Sequence, residues 1–218
     1  MRRIRFMFIP AVVFLLAGFC GCKSKTPATS DEKKAPSSTV TAPADKPPAE
    51  PSVDQPLIPK DAAIIQITTS AIESGGLMNS EYTCDGKDIS PELKWRLIPA
   101  AAQSLALIMD DPDAPSGTWT HWVIYNIPAN TGGFRPGVPR DETVAGAGSQ
   151  GANSWDKDNI GYGGPCPPGG THRYFFKLYA LDAKLDLEPG ASKAELEAAM
   201  KGRVIGFGQF VVRYSRNK

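Results

Sequence analysis

The chain of 218 residues is poor in metal-grade ligands: it has two histidines, His121 and His172, and four cysteines, two of them before residue 23. None of these residues stands at a metal-ligand spacing, which excludes a zinc finger or ribbon, and nothing calls for a metal or another cofactor. A surplus of either charge is also lacking, with 24 Lys and Arg against 23 Asp and Glu. Three of the positive charges, Arg2, Arg3 and Arg5, sit at the extreme N-terminus, and without them the formal charge falls from +1 to about −2. Such a chain has no electrostatic reason to bind nucleic acid. Internal repeats are absent, and no apolar run reaches the roughly 18 residues of a spanning helix.

The apolar run that is present, Phe6 to Phe19, follows the three arginines and is interrupted only by Pro10 and Gly18. A basic stretch followed by a short apolar one is the pattern of an export signal. It ends in Gly21-Cys22-Lys23, which resembles the bacterial lipobox, with Phe19 and Cys20 departing from its usual residues. Residues 1–21 are therefore expected to be a lipoprotein signal peptide and Cys22 the lipidated residue. The alternatives are secretion without lipid and an uncleaved anchor. Residues 22–60 are rich in Pro, Ala, Ser, Thr and Lys and almost free of large apolar side chains until Leu57. Such a segment cannot bury enough surface to offset its ordering entropy, and it reads as a disordered tether. The expected location is the bacterial cell envelope, at its periplasmic or surface face.

From Asp61 to Lys218 the composition becomes that of a single domain. Ile64, Ile65 and Ile67 with Thr68 and Thr69 form one β-branched strand. Further strands follow at 94–97, 104–109, 121–127, 174–181 and 204–214, punctuated by Gly and Pro. In the strand at 121–127, simple alternation puts His121 on one face with Val123 and Tyr125. One helix is well signalled: Ser192 and Glu195 make a capping box, Leu196, Ala199 and Met200 an apolar stripe, and Gly202 a stop. The fold class is mainly β, a sheet-on-sheet arrangement with one late helix.

Two loops interrupt this pattern. Asp110-Asp111-Pro112-Asp113-Ala114-Pro115 leads to Trp119-Thr120-His121-Trp122, and its prolines hold the acids in fixed positions. Clustered carboxylates can raise one another's pKa and share a proton, although Asp and Pro are also ordinary turn residues. The stretch 132–170 shows little regular pattern, and a loop of that length in a compact domain is usually functional. It closes on Tyr162-Gly163-Gly164-Pro165-Cys166-Pro167-Pro168-Gly169-Gly170-Thr171 and then His172-Arg173-Tyr174, and backbone N–H groups of this Gly- and Pro-rich loop could form an anion nest. Both histidines of the chain thus follow a loop shaped by Gly or Pro, which favours a shared site over two separate structural histidines.

Asp111-Pro112-Asp113-Ala114-Pro115 with His121, and Gly164-Pro165 with His172-Arg173-Tyr174, resemble the two signature regions of the phosphatidylethanolamine-binding proteins. That family includes the Raf kinase inhibitor-like proteins of bacteria. Tyr82-Thr83-Cys84-Asp85-Gly86 and the run Ser90 to Trp95 resemble the segment preceding those regions in prokaryotic members. The similarity extends from about Ile64 to Tyr214. It implies a large antiparallel sheet flanked by a smaller one, one or two short helices, and a shallow anion-accepting pocket without metal or cofactor. The pocket residues it implies are Asp111, Asp113, Pro115, His121, Gly164, Pro165, His172 and Tyr174. The chain ends at Lys218, so the C-terminal helix of the animal proteins is not expected, and their headgroup preference and kinase regulation are not inherited. Cys84 and Cys166 lie in motifs beside that pocket, and export permits a disulfide between them; the alternative is two separate buried thiols.

The class of function expected is a membrane-tethered binding protein for a small phosphate-bearing or other anionic ligand, such as a phospholipid headgroup. A regulator of a protein partner, of protease or kinase type, is the second reading. A phosphoester hydrolase is the third. Two His and two Asp could run acid–base chemistry and Ser90 is a conceivable nucleophile, but no nucleophile elbow is visible, so an enzyme is not expected.

Overall fold

The computed structural model describes residues 57–72, 76–156 and 158–216. The expected signal segment, the expected lipidation site Cys22 and the expected tether before residue 57 lie outside the described residues. Leu57 and Ile58, grouped with the tether by composition, pack half-buried against one of the domain's two cores.

A seven-stranded sheet carries the domain. Its strands are β1 (Ala63–Ile64), β4 (Ser104–Asp111), β5 (Trp119–Pro128), β7 (Thr143–Val144), β8 (Gly148–Gln150), β9 (Thr171–Leu181) and β10 (Val204–Ser215), in the order β1-β10-β9-β4-β5-β8-β7. A smaller sheet consists of β2 (Gln66–Thr69), β3 (Leu93–Arg96) and β6 (Gly133–Phe134), in the order β2-β3-β6. The large sheet is antiparallel except at its edge, where β1 runs parallel to β10. The β-branched run read as one strand is in fact divided at Ile65: Ile64 stays on β10 and is exposed, Ile65 is buried, and the chain then crosses into the small sheet. The stretch 132–170 is less irregular than its composition suggests, since it contains β6, β7 and β8. Strands of two or three residues are too short to show a period.

All eight residues of β4 are buried, because both faces of the sheet are covered. Leu105, Leu107 and Met109 point toward the small sheet, where Ile67, Trp95 and Phe134 meet them. Ala106 and Ile108 point the other way, toward Leu196 and Met200 of α1 (Lys193–Met200). That helix begins as its sequence demands: Glu195 N–H donates to Ser192 Oγ at 3.3 Å, and the Glu195 carboxylate accepts from Ser192 N–H at 2.7 Å. Burial of Leu196 and Met200 contributes about 2 kcal/mol each. Gly202, at φ 69°, ends the turn that follows.

Strand β5 departs from simple alternation. Its register against β4 slips between the pairs Met109–Trp122 and Asp110–Thr120, leaving His121 as the extra residue of a bulge. His121 consequently turns to the small-sheet side with Trp122 and packs on Tyr174 of that core, while Val123 and Tyr125 belong to the opposite core. The expected common face of His121 and Tyr125 is thus broken by one inserted residue.

Candidate functional site

Strand β4 ends in two aspartates that its pleat sends to opposite faces. Asp110 goes to the helix side, where Lys177 Nζ at 2.9 Å, Lys193 Nζ at 2.8 Å and the Thr120 hydroxyl at 3.3 Å surround its carboxylate. It is a structural hub. Asp111 goes to the small-sheet side and is 3% exposed. Its Oδ1 accepts the N–H of Asp113 at 2.8 Å, which closes the turn into the loop, and its Oδ2 accepts from His172 Nδ1 at 2.7 Å. A carboxylate only accepts, so His172 donates from Nδ1.

Asp113 behaves differently from the sequence expectation of two acids sharing a proton. Arg173 Nε and backbone N–H both donate to its Oδ2 at 2.9 Å, and Arg173 Nη2 donates to Oδ1 at 2.7 Å. These bonds hold the Asp113 carboxyl down at about 2. Arg173, next in sequence to His172, alternates to the other face of β9 and pairs with this acid, while His172 pairs with Asp111. The loop is thereby fastened to β9 at both its acids.

His121 is 2% exposed, and its Nδ1 donates to the Gly163 carbonyl at 2.7 Å. Burial pushes its pKa down to about 4, against weaker opposing effects of the Gly163 bond and of Asp111, Asp110 and Asp88. The ring is neutral at neutral pH, with the lone pair on Nε2. Its plane is held by edge-on contacts with Trp155 at 4.9 Å and Tyr174 at 5.1 Å. The Tyr174 hydroxyl is buried beside Asp111, and its pKa is raised first by burial and then by the charge of Asp111.

Above these groups lies a cavity of about 320 Å³. Asp111, Pro115, His121 and His172 line it, so four of the expected site residues converge. Asp113 and Tyr174 flank it through Arg173 and His121 respectively. Gly164 and Pro165 lie behind the wall. Gly164 N–H donates to Asp88 Oδ1 at 2.7 Å, Pro165 C=O accepts from Cys84 N–H at 3.1 Å, and Gly163 N–H donates to the His121 carbonyl at 2.9 Å. Of the backbone donors in the loop expected to form an anion nest, those of Gly163 and Gly164 are used inside the protein. A Cβ at Gly164 would come within 2.6 Å of Asp88 Oδ1 and of the Tyr82 carbonyl, so the glycine is required for this packing.

The apolar walls are Trp119, Trp155, Pro167 and Pro168. Trp155 was not singled out in the sequence; a lone tryptophan in the polar stretch Asn153-Ser154-Trp155-Asp156 was the available signal. It meets Trp119 edge-on at 5.5 Å and remains 41% exposed. Gly163 lets it lie there, since a Cβ at that position would be 2.5 Å from its ring. Cys166 also lines the cavity and is bonded to Cys84, with 5.4 Å between the Cα atoms. Ser90, the conceivable nucleophile, lies elsewhere: it is 1% exposed and accepts the N–H of Val138 at 2.9 Å. Among the described residues no three His, Cys, Asp or Glu side chains converge on a metal position.

The arrangement defines a ligand-binding β domain, with a concave apolar pocket and a few convergent polar groups at one end of a covered sheet. Comparison with known proteins agrees. Residues 68–215 match the description of the phosphatidylethanolamine-binding proteins, and the chain belongs to that family. It is 51% identical to a UPF0098 protein of Methanothermobacter thermautotrophicus over 70% of this chain and 99% of the relative. A UPF0098 protein of Aquifex aeolicus is 44% identical over 71% of this chain and 91% of its own length. Among solved structures, a phosphatidylethanolamine-binding protein homolog from Chlamydia trachomatis, CT736, superposes with a TM-score of 0.62 at 35% identity, covering 72% of this chain and 99% of that one. Escherichia coli YbcL, described as a member of the mammalian family, superposes with a TM-score of 0.64 at 30% identity, covering 70% and 99%.

Proposed function

We propose that the protein is a lipid-anchored binding protein of the cell envelope, held on a tether from Cys22, whose cavity accepts a small phosphate-bearing or other anionic ligand without turning it over. A phospholipid headgroup is one source of such a ligand. The observation that carries this reading is the buried Asp111–His172 pair on the wall of a cavity with tryptophan and proline sides.

The chemistry follows from which atoms remain available. His172 spends Nδ1 on Asp111, which leaves Nε2 as the ring nitrogen that can meet a phosphoryl oxygen, a charge-assisted contact whenever that nitrogen also carries a proton. Neutral His121 adds an acceptor, suited to an ammonium or hydroxyl hydrogen on the same ligand. A zwitterionic headgroup satisfies both. Binding without turnover is supported by the fate of the candidate nucleophiles. Ser90 is committed to Val138, and Ser116, the serine on the cavity wall, is exposed and hydrogen-bonds no base among the described residues.

The test is calorimetry of the full-length protein with inorganic phosphate and with phosphorylethanolamine. His172→Ala is expected to weaken phosphate binding by about 1.5–3 kcal/mol, the range for a hydrogen bond to a charged group. Unchanged affinity for both ligands in His172→Ala and in the milder His172→Gln would remove the reading, as would steady release of phosphate from phosphorylethanolamine by the wild type.

A further inference from the structure

The carbonyl that accepts from His121 and the N–H that donates to Asp88 belong to one peptide unit, Gly163–Gly164. The unit lies between two side chains, with His121 Nδ1 at 2.7 Å on one side and Asp88 Oδ1 at 2.7 Å on the other. Both of its residues are glycine, so no Cβ hinders rotation of the peptide plane by half a turn, a motion that changes only ψ of the first residue and φ of the second. A rotated peptide would offer N–H to His121 and C=O to Asp88. The first exchange is harmless, because an imidazole nitrogen can accept once its proton has moved to Nε2. The second is not, because a carboxylate has no hydrogen to give and would face a carbonyl oxygen.

Asp88 is well held for such a task. Arg140 Nη2 donates to its Oδ2 at 2.7 Å and also to its backbone carbonyl at 2.5 Å. The residue sits at φ 53°, a left-handed conformation that Asp adopts more readily than most other residues. Trp155 and Tyr174 hold the plane of the His121 ring edge-on, and a half-turn within that plane would set Cδ2–H, not a nitrogen, against the Gly163–Gly164 peptide and lose the hydrogen bond. Only the proton is free to choose between its nitrogens.

We propose that Asp88 is a positioning residue that sets the tautomer of His121: by locking the Gly163–Gly164 peptide it keeps the proton on Nδ1 and leaves Nε2, at the cavity wall, as a bare acceptor. The consequence is a selection rule. His121 takes a ligand atom that carries a hydrogen, such as an ammonium, a hydroxyl or a protonated phosphoryl oxygen, and gives no hydrogen bond to a bare oxyanion. The selection is made about one peptide unit away from the ligand, by a residue whose own polar contacts lie behind the wall.

The tautomer is read in the ligand-free, full-length protein by imidazole nitrogen NMR, so the result does not depend on the ligand assigned above. In the wild type, Nδ1 of His121 is expected to show the shift of a protonated nitrogen and Nε2 that of an unprotonated one. Asp88→Ala removes the acceptor of Gly164 N–H and is expected to move the tautomer ratio toward Nε2–H by roughly tenfold or more, what a hydrogen bond to a charged group is worth. Asp88→Asn keeps an acceptor oxygen and is expected to keep the wild-type tautomer. Arg140→Gln leaves the peptide's own contacts intact and is expected to do the same. A proton on Nε2 in the wild type overturns the proposal whether or not the variants fold, and so does an unchanged tautomer in folded Asp88→Ala.

Discussion

Because His121 is buried neutral, the protein should lose stability in mild acid through this one side chain. In the unfolded chain the imidazole titrates near 6.5, and in the folded protein burial lowers that to about 4. As pH falls through this window the unfolded state takes up a proton that the folded state refuses, so stability rises with pH and is fully present only above about 6.5. The whole difference corresponds to about 3 kcal/mol, and about 2 kcal/mol of it is lost between pH 7 and pH 5. His121→Gln deletes the titration while its amide can still donate to the Gly163 carbonyl, 2.7 Å from Nδ1 in the wild type. Urea denaturation of both proteins at pH 7 and pH 5 isolates the effect, because every other titrating group is common to the two. The wild type is expected to lose about 2 kcal/mol more than the variant on going to pH 5. Equal losses would mean that His121 is hydrated or charged in the folded state, and the argument for its tautomer would fail with it.

The Cys84–Cys166 bridge spans 82 residues, and loop-closure entropy assigns it about 4.5 kcal/mol at most. Reductant should lower the denaturation midpoint of the wild type and leave a Cys84→Ser, Cys166→Ser double variant unchanged; equal midpoints with and without reductant in the wild type would show that the bridge contributes nothing. Cys22→Ser should abolish metabolic palmitate labelling and move the protein from the membrane to the soluble fraction, and labelling that persists in this variant would place the lipid elsewhere or nowhere.

Much of the fold was legible. Five strands and the capped helix were each announced by local chemistry: β-branched runs, Gly and Pro at their ends, Ser192 three residues before Glu195. Where reading failed, the cause was a single residue or a very short element. One extra residue at His121 turns that side chain against the alternation of the residues that follow it, and a bulge leaves no mark on composition. The crossing at Ile65 is equally silent, since β-branched residues suit either sheet. Strands β6, β7 and β8 exist because neighbouring strands pair with them, not because their few residues demand it.

At the site, the two loops and both histidines stood out in the sequence, and the family resemblance implied Asp111, Pro115, His121 and His172 among the pocket residues; the structure brings these four to one cavity. These residue types, in that order along the chain, are what the sequence alone determined. Which partner each polar group takes was decided by tertiary structure. Arg173 captures Asp113 because alternation along β9 turns it away from His172, and Asp88 captures the N–H of Gly164 across 76 residues of chain. The Trp155 wall likewise depends on a loop returning over Gly163. Hydrogen-bond partners are set by distances of a few tenths of an ångström between segments remote in sequence, and only the assembled sheets fix those distances.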